Sequence, residues 1–302
     1  MPARRYVVYD VFTDKALTGN PLAVVLDAED LDTAGMQAIA REFNLSETTF
    51  VTKAENPRHK ARLRIFTPDY EMPFAGHPTV GTAIALAALD PVDAPRIFAL
   101  EENIGPVRCA VSTSGGSAFG EFDLAVMPQN LLLAADPMAL GASLGLGPGE
   151  IGFENHRVGL WSAGVPYVTV PVADLAVAAK VTMHNQAWLD LAPRDADGNP
   201  VCAYVYCREA IRADNGFHAR MFVPGNPCWE DPATGSAAAA LAGAIVKFDR
   251  PVDGSMQTWI EQGIEMGRPS RIRLEIDTEV GAITAARIGG NAVKVAEGML
   301  LA

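Results

Sequence analysis

The feature that most restricts how this chain can fold is a repeat inside it. Arg64-Ile65-Phe66-Thr67-Pro68 is followed by a loop and then by His77-Pro78-Thr79-Val80-Gly81-Thr82-Ala83. Arg220-Met221-Phe222-Val223-Pro224 is followed by a second loop and then by Asp231-Pro232-Ala233-Thr234-Gly235-Ser236-Ala237. A weaker echo lies upstream, where Gly19-Asn20-Pro21 and Gly164-Val165-Pro166 each precede a strand-like run. Two ordered blocks at similar offsets are the signature of duplication, so the chain is expected to fold as two related halves.

The repeated unit has a physical reading. Proline is tolerated in the first turn of a helix, where its missing N–H would have had no partner. That expectation puts His77 and Asp231 at the cap positions of two helices, either as ordinary caps or as functional groups. Gly81 and Gly235 cost helix stability, by roughly 1 kcal/mol each, unless something must approach the backbone closely. A helix start also offers unpaired N–H groups and a positive partial charge, which suits an anion. If the halves pack with pseudo-twofold symmetry, both starts face one cleft, fit for a small carboxylic acid whose deprotonated state needs stabilising.

Elsewhere the pattern is of many short strands with one Ala-rich helix per half. Strands are expected over 6–12, 22–26, 48–52, 60–66, 96–100, 107–112 and 119–126. Further strands are expected over 157–161, 167–170, 201–206, 219–223, 271–276 and 282–288. Asp32 can cap a helix that puts Met36, Ile39, Ala40 and Phe43 on one face. Further helices are expected over 78–89, 137–144 and 184–191. Ser114-Gly115-Gly116-Ser117 reads as a hairpin tip, although a domain boundary has the same composition. The absence of regular strand–helix alternation points to α+β, with each mostly antiparallel sheet curled around a central helix. The expected halves are residues 1–128, completed by a last strand at about 290–302, and residues 129–302, with the active site in the cleft between them.

A formal net charge of −12 argues against a nucleic-acid partner while leaving room for a small anionic substrate at a helix start. Cys109, Cys202, Cys207 and Cys228 form no CxxC pair, and the five histidines are dispersed, so a protein-bound metal is not expected. No apolar run approaches the ~20 residues of a membrane span, and residues 1–6 run straight into a strand. A cytoplasmic protein is expected.

At these blocks the sequence resembles the phenazine-biosynthesis PhzF-like family, within the diaminopimelate epimerase-like fold. The matching stretches are Asp10-Val11-Phe12-Thr13 with Gly19-Asn20-Pro21-Leu22-Ala23-Val24-Val25, then Leu45-Ser46-Glu47-Thr48-Thr49-Phe50-Val51. Phe74-Ala75-Gly76-His77-Pro78-Thr79, the block from Asp231 to Ala237, and Gln262-Gly263-Ile264-Glu265-Met266-Gly267-Arg268-Pro269-Ser270 complete the set. The resemblance spans essentially the whole chain. It implies two pseudo-symmetric domains, a homodimer, and a proton-transfer isomerase that needs no metal or cofactor. It implies a catalytic set of Glu47, His77 and Asp231, with Gly76, Ser236, Asn20 and Gly235 around the substrate. A carboxyl group in a poorly solvated cleft can take and return a proton, which makes Glu47 a sensible carrier.

Related epimerases and racemases of this fold use two cysteines, one at each helix start. The corresponding positions here are read as Ala75 and Pro232, so a two-thiol mechanism is not expected. Two other readings stay open: an epimerase or isomerase of another amino or hydroxy acid, and a non-catalytic binding protein that keeps the fold. Trp161 and Tyr70 are candidate cleft walls, and Arg268 is a candidate for a carboxylate or a salt bridge. Residues 192–199 read as an exposed loop.

Overall fold

A computed structural model describes residues 3–90, 94–113, 117–225 and 227–302. The chain divides into two compact units: Met1–Asp123 with Gly289–Ala302, and Leu124–Ile288. Ser114, Gly115 and Gly116 of the expected hairpin tip lie outside the described residues.

The first unit runs β1 (Ala3–Val11), β2 (Asn20–Val25), α1 (Thr33–Phe43), β3 (Glu47–Thr52), β4 (Ala61–Phe66), β5 (Glu71–Met72), α2 (Gly76–Ala88), β6 (Arg96–Glu102), β7 (Gly105–Ser112) and β8 (Ala118–Asp123). Pairing is antiparallel except for β2 with β3 and β4 with β6. Asp32 caps α1 by accepting from Gly35 N, and Asn44 ends that helix in the left-handed conformation. The sheet wraps α2, which packs against β1, β2, β3, β6, β7 and β8. Every residue of α2 from Gly76 to Ala87 is buried. Burial of Val80, Ile84 and Leu86 stabilises the unit by roughly 1.5–3 kcal/mol for each side chain. Gly81 is required by packing, since a Cβ there would lie 2.6 Å from Leu22 Cδ2 and 2.7 Å from Val11 Cγ2.

The second unit runs β9 (Gln129–Leu131), α3 (Pro137–Ser143), β10 (Gly159–Ser162), β11 (Pro166–Pro171), α4 (Leu175–Lys180), α5 (Asn185–Leu191), β12 (Cys202–Cys207), β13 (Phe217–Val223), β14 (Trp229–Asp231), α6 (Gly235–Asp249), β15 (Gly254–Gln262) and β16 (Ser270–Glu279). The last strand, β17 (Ala282–Leu301), begins in this unit and passes into the first. The order of pairing repeats: β11–β12 and β13–β15 are parallel, and β12–β13 and β15–β16 antiparallel. The buried helix α6 takes the central place, against β9, β10, β11 and β16. The fold is α+β, with a curled sheet around one central helix in each unit.

Besides the two- and three-residue strands β5, β9 and β14, which the sequence does not foretell, two longer elements depart from expectation. Residues 254–262 form a nine-residue strand that the sequence reading omits, because Gln257, Thr258 and Glu261 break its apolar pattern. Its existence is secured from both edges, by β13 and β16. Helix α4 is a six-residue turn capped by Asp174, too short for helical periodicity to register.

The repeat also needs a new register. In the first unit Phe66 pairs with Glu71 and Ile65 with Met72; in the second, Phe222 pairs with Glu230 and Met221 with Asp231. The ion pairs Arg64–Glu71 (2.6 Å) and Arg220–Glu230 (2.8 Å) match as well. Two loop residues then precede each cap, Ala75 for α2 and Thr234 for α6. Met72-Pro73-Phe74-Ala75-Gly76-His77 is therefore the counterpart of Asp231-Pro232-Ala233-Thr234-Gly235-Ser236. The alignment of His77-Pro78 with Asp231-Pro232 is five residues out, since the loop before the second helix is the longer of the two.

Candidate active site

That register corrects the expected caps. His77 is not a cap but the second residue of α2, with Pro78 behind it in the first turn, where no intrahelical N–H bond is lost. Asp231 is not at the helix start at all; it ends β14, held in the ladder with Met221. Neither cap makes a side-chain bond to its helix. The second position expected for a thiol is Thr234 rather than Pro232, so no cysteine occupies either cap.

In the first unit, three of the expected residues come together. Glu47 opens β3 and sits opposite Leu22 in the parallel ladder, beside Asn20 at the start of β2. The turn into Asn20 depends on Gly19 (φ 68°), where a Cβ would lie 2.4 Å from the Val11 carbonyl. A hydroxyl contact of 2.9 Å between Thr49 and Thr82 ties β3 to α2. Across that junction Glu47 Oε2 lies 3.2 Å from His77 Nε2, within ion-pair reach but without hydrogen-bond alignment. On the other side of the ring, Asn20 Nδ2 lies 3.3 Å from His77 Nδ1. Burial pushes the His77 imidazole down to about 3, so the ring is neutral at ordinary pH. With the Asn20 amide donating to Nδ1, the ring proton sits on Nε2 and faces Glu47. Gly76, the first helical residue, is buried and carries no side chain.

In the second unit, Asp231 is buried and accepts a hydrogen bond from the Thr234 hydroxyl. The Gln262 amide donates to the Asp231 carbonyl (2.8 Å) and to Thr234 Oγ1 (3.0 Å), while its oxygen accepts from Thr234 N (3.3 Å). Ser236, the second residue of α6, is 2.7 Å from the Tyr167 hydroxyl. Sequence reasoning did not single out Thr234, Gln262 or Tyr167. Gln262 stood inside a recognised block, but only the parallel pairing of β13 with β15 reveals what it touches.

The remaining candidates are placed as follows. Tyr70 is 58% exposed, whereas Trp161 is buried against Gly243 and lines a cavity of about 610 Å³ with Met127, Pro128 and Lys247. Residues 195–199 form a turn closed on the Asp195 carboxylate. The four cysteines are free thiols. Glu154, His156 and Asp249 bring metal-type donor atoms together, but the Arg208 guanidinium donates to both carboxylates and supplies the cation there.

The pattern of the PhzC-PhzF family, described as phenazine biosynthesis-like protein, matches residues 9–298. The chain belongs to this PhzF-like family. An uncharacterized isomerase of Mesorhizobium japonicum is 65% identical to it, over 99% of both chains. The trans-2,3-dihydro-3-hydroxyanthranilate isomerase of Pseudomonas aeruginosa is 37% identical, over 97% of this chain and 98% of that one. Among solved structures, a PhzF-family protein of Bacillus anthracis superposes with a TM-score of 0.89 at 28% identity, over all of both chains. This PhzF-like chain is an isomerase by kind. Among the described residues, no helix is long and apolar enough to cross a membrane.

Proposed function

We propose that this isomerase moves a proton between carbons of a small carboxylic acid, with Glu47 as the proton carrier and no cofactor. The observation behind this reading is the contact of Glu47 with a neutral, buried His77 whose other nitrogen faces Asn20. A neutral imidazole cannot serve as a strong acid here. It can donate Nε2–H to the Glu47 carboxylate and hold it aimed at a substrate C–H, then release it as the carboxyl group gains the proton. A single carboxyl group that takes and returns one proton needs no external acid, base or metal. The first turn of α2, with its unpaired N–H groups and no side chain at Gly76, suits the negative charge that develops on the substrate. Asp231, Ser236 and Gly235 are proposed to serve the same substrate, which the duplication and the family pattern support.

Its test is proton NMR in D₂O with trans-2,3-dihydro-3-hydroxyanthranilate and a panel of unsaturated, hydroxy and amino acids. Deuterium entering at one carbon with migration of a double bond is the expected result. Deuterium entering with inversion and no migration would make the protein an epimerase instead. Exchange that is lost on chelation and restored by one metal would contradict cofactor independence.

A further inference from the structure

Glu102, the last residue of β6, plays no part in the site as described, yet it is 4% exposed and sits against the start of α2. Its Oε1 lies 2.8 Å from Thr79 Oγ1, and its Oε2 is buried with no hydrogen-bond partner. The Thr79 hydroxyl is also 2.7 Å from the carbonyl of Ala75, the α2 cap. A hydroxyl has one proton to donate. If it goes to the Ala75 carbonyl, the bond to Glu102 needs a proton from Glu102. An ionised carboxylate with one oxygen buried and unpartnered would also be far costlier than a neutral acid.

The second unit supplies an independent comparison. Parallel pairing sets Arg62 opposite Glu101 and His218 opposite Glu261. Glu101 accepts from the backbone N–H of Glu55 and Asn56, and Glu261 from those of Ile211 and Arg212. Glu102 is thus the counterpart of Gln262, the amide that braces Thr234 at the α6 cap. Both helix starts are braced from the same strand position, one by an amide that never ionises.

We propose that Glu102 is a positioning residue that holds a proton in the resting protein, fixes the α2 start carrying Gly76 and His77 through Thr79, and sets the alkaline limit of the site when it ionises. This rests on the proton-transfer reading of that site. Burial raises the Glu102 carboxyl group to about 8, against a smaller opposing effect of the Thr79 bond. The groups facing it are the Thr79 hydroxyl on α2 and the Cys109 thiol on β7, both uncharged. On β4, Arg62 is tied to Glu55 beside Glu101, and among the described residues no cation pairs with Glu102. Above its midpoint a new negative charge would appear at a helix start meant for an anion, weakening substrate binding.

The test has two arms. In the full-length wild-type protein labelled with ¹³C-glutamate, one carboxyl resonance should titrate near pH 8, and it should be absent from Glu102→Gln. If every glutamate titrates in the ordinary range, the proposal is overturned whether or not the protein turns over any acid tried. The infrared band of a protonated carboxyl group, present in the wild type at pH 7, reads the same state without a variant; its absence overturns the proposal too. With a substrate in hand, Glu102→Gln should keep kcat/KM within about threefold at pH 7 and lose the rise in KM above pH 8. The same alkaline limb in Glu102→Gln would overturn the regulatory part. Absence of deuterium exchange by the wild type on the whole panel counts against the proton-transfer reading, while the carboxyl titration still decides the state of Glu102.

Discussion

The two units start their central helices with the same backbone and different chemistry. Each has a short strand ending in two loop residues, a cap and a glycine, yet Ala75, His77 and Glu102 of the first unit stand where the second has Thr234, Ser236 and Gln262. Duplication preserved what the helix needs, namely a small first residue, a wrapped sheet and a brace from the strand. It did not preserve the acid–base groups. The first unit pairs a carboxylate with an imidazole across a strand–helix junction; the second surrounds one carboxylate, Asp231, with a hydroxyl and an amide. Under the proposed function, proton transfer falls to the first unit, and the second is proposed to offer polar groups only.

Substitutions at matched positions test that asymmetry. His77→Ala should lower kcat/KM by about 10²–10³-fold, as expected for loss of an acid–base partner, with the far-UV circular dichroism retained. Ser236→Ala, at the matching position, should cost only about tenfold. Equal losses would mean that the two starts contribute alike. Asp231→Asn should fall between them, at about 10–100-fold, since it keeps the shape and removes the charge. An unchanged rate would remove Asp231 from the site.

The next contrast is one of stability. His218 is buried between Glu261 (3.0 Å) and Glu265 (2.9 Å), where the first unit has Arg62 in the ladder. Burial pushes the imidazole down, but the two carboxylates outweigh it and carry the group to about 9 from an ordinary value of 6.5. A raised histidine contributes stability that is fully present below about 6.5 and is lost as pH rises through 9. Urea unfolding should show a smaller loss between about 6.5 and 9 in His218→Gln than in the wild type, and the part that remains, ending near 8, belongs to the raised Glu102 carboxyl group. The smallest effect is expected for Tyr167→Phe, which frees Ser236 and should change kcat/KM by no more than about threefold.

Much of this was legible in the sequence. The duplication, the central helices, the cap at Asp32 and the conjunction of Glu47, His77 and Asn20 all rest on local patterns or on blocks that resemble a family. The register of the second half was not legible, because two His/Asp-Pro-x-x-Gly strings align better as letters than as structure. Ladder partners decide such a case, and β5 and β14, at two and three residues, are too short for alternation to reveal. Thr234, Gln262, Thr79 and Glu102 were missed for a related reason. Each matters through a contact made by strand pairing or by a helix docked on a sheet, and no spacing along the chain encodes it.

One carboxyl group, on the first unit, is proposed to carry the proton. Deuterium exchange into a substrate of the wild type should therefore vanish in a folded Glu47→Gln protein and persist, slowed, in Asp231→Asn. Exchange at a near-wild-type rate by Glu47→Gln, with only Asp231→Asn inert, would put the proton carrier on the second unit instead.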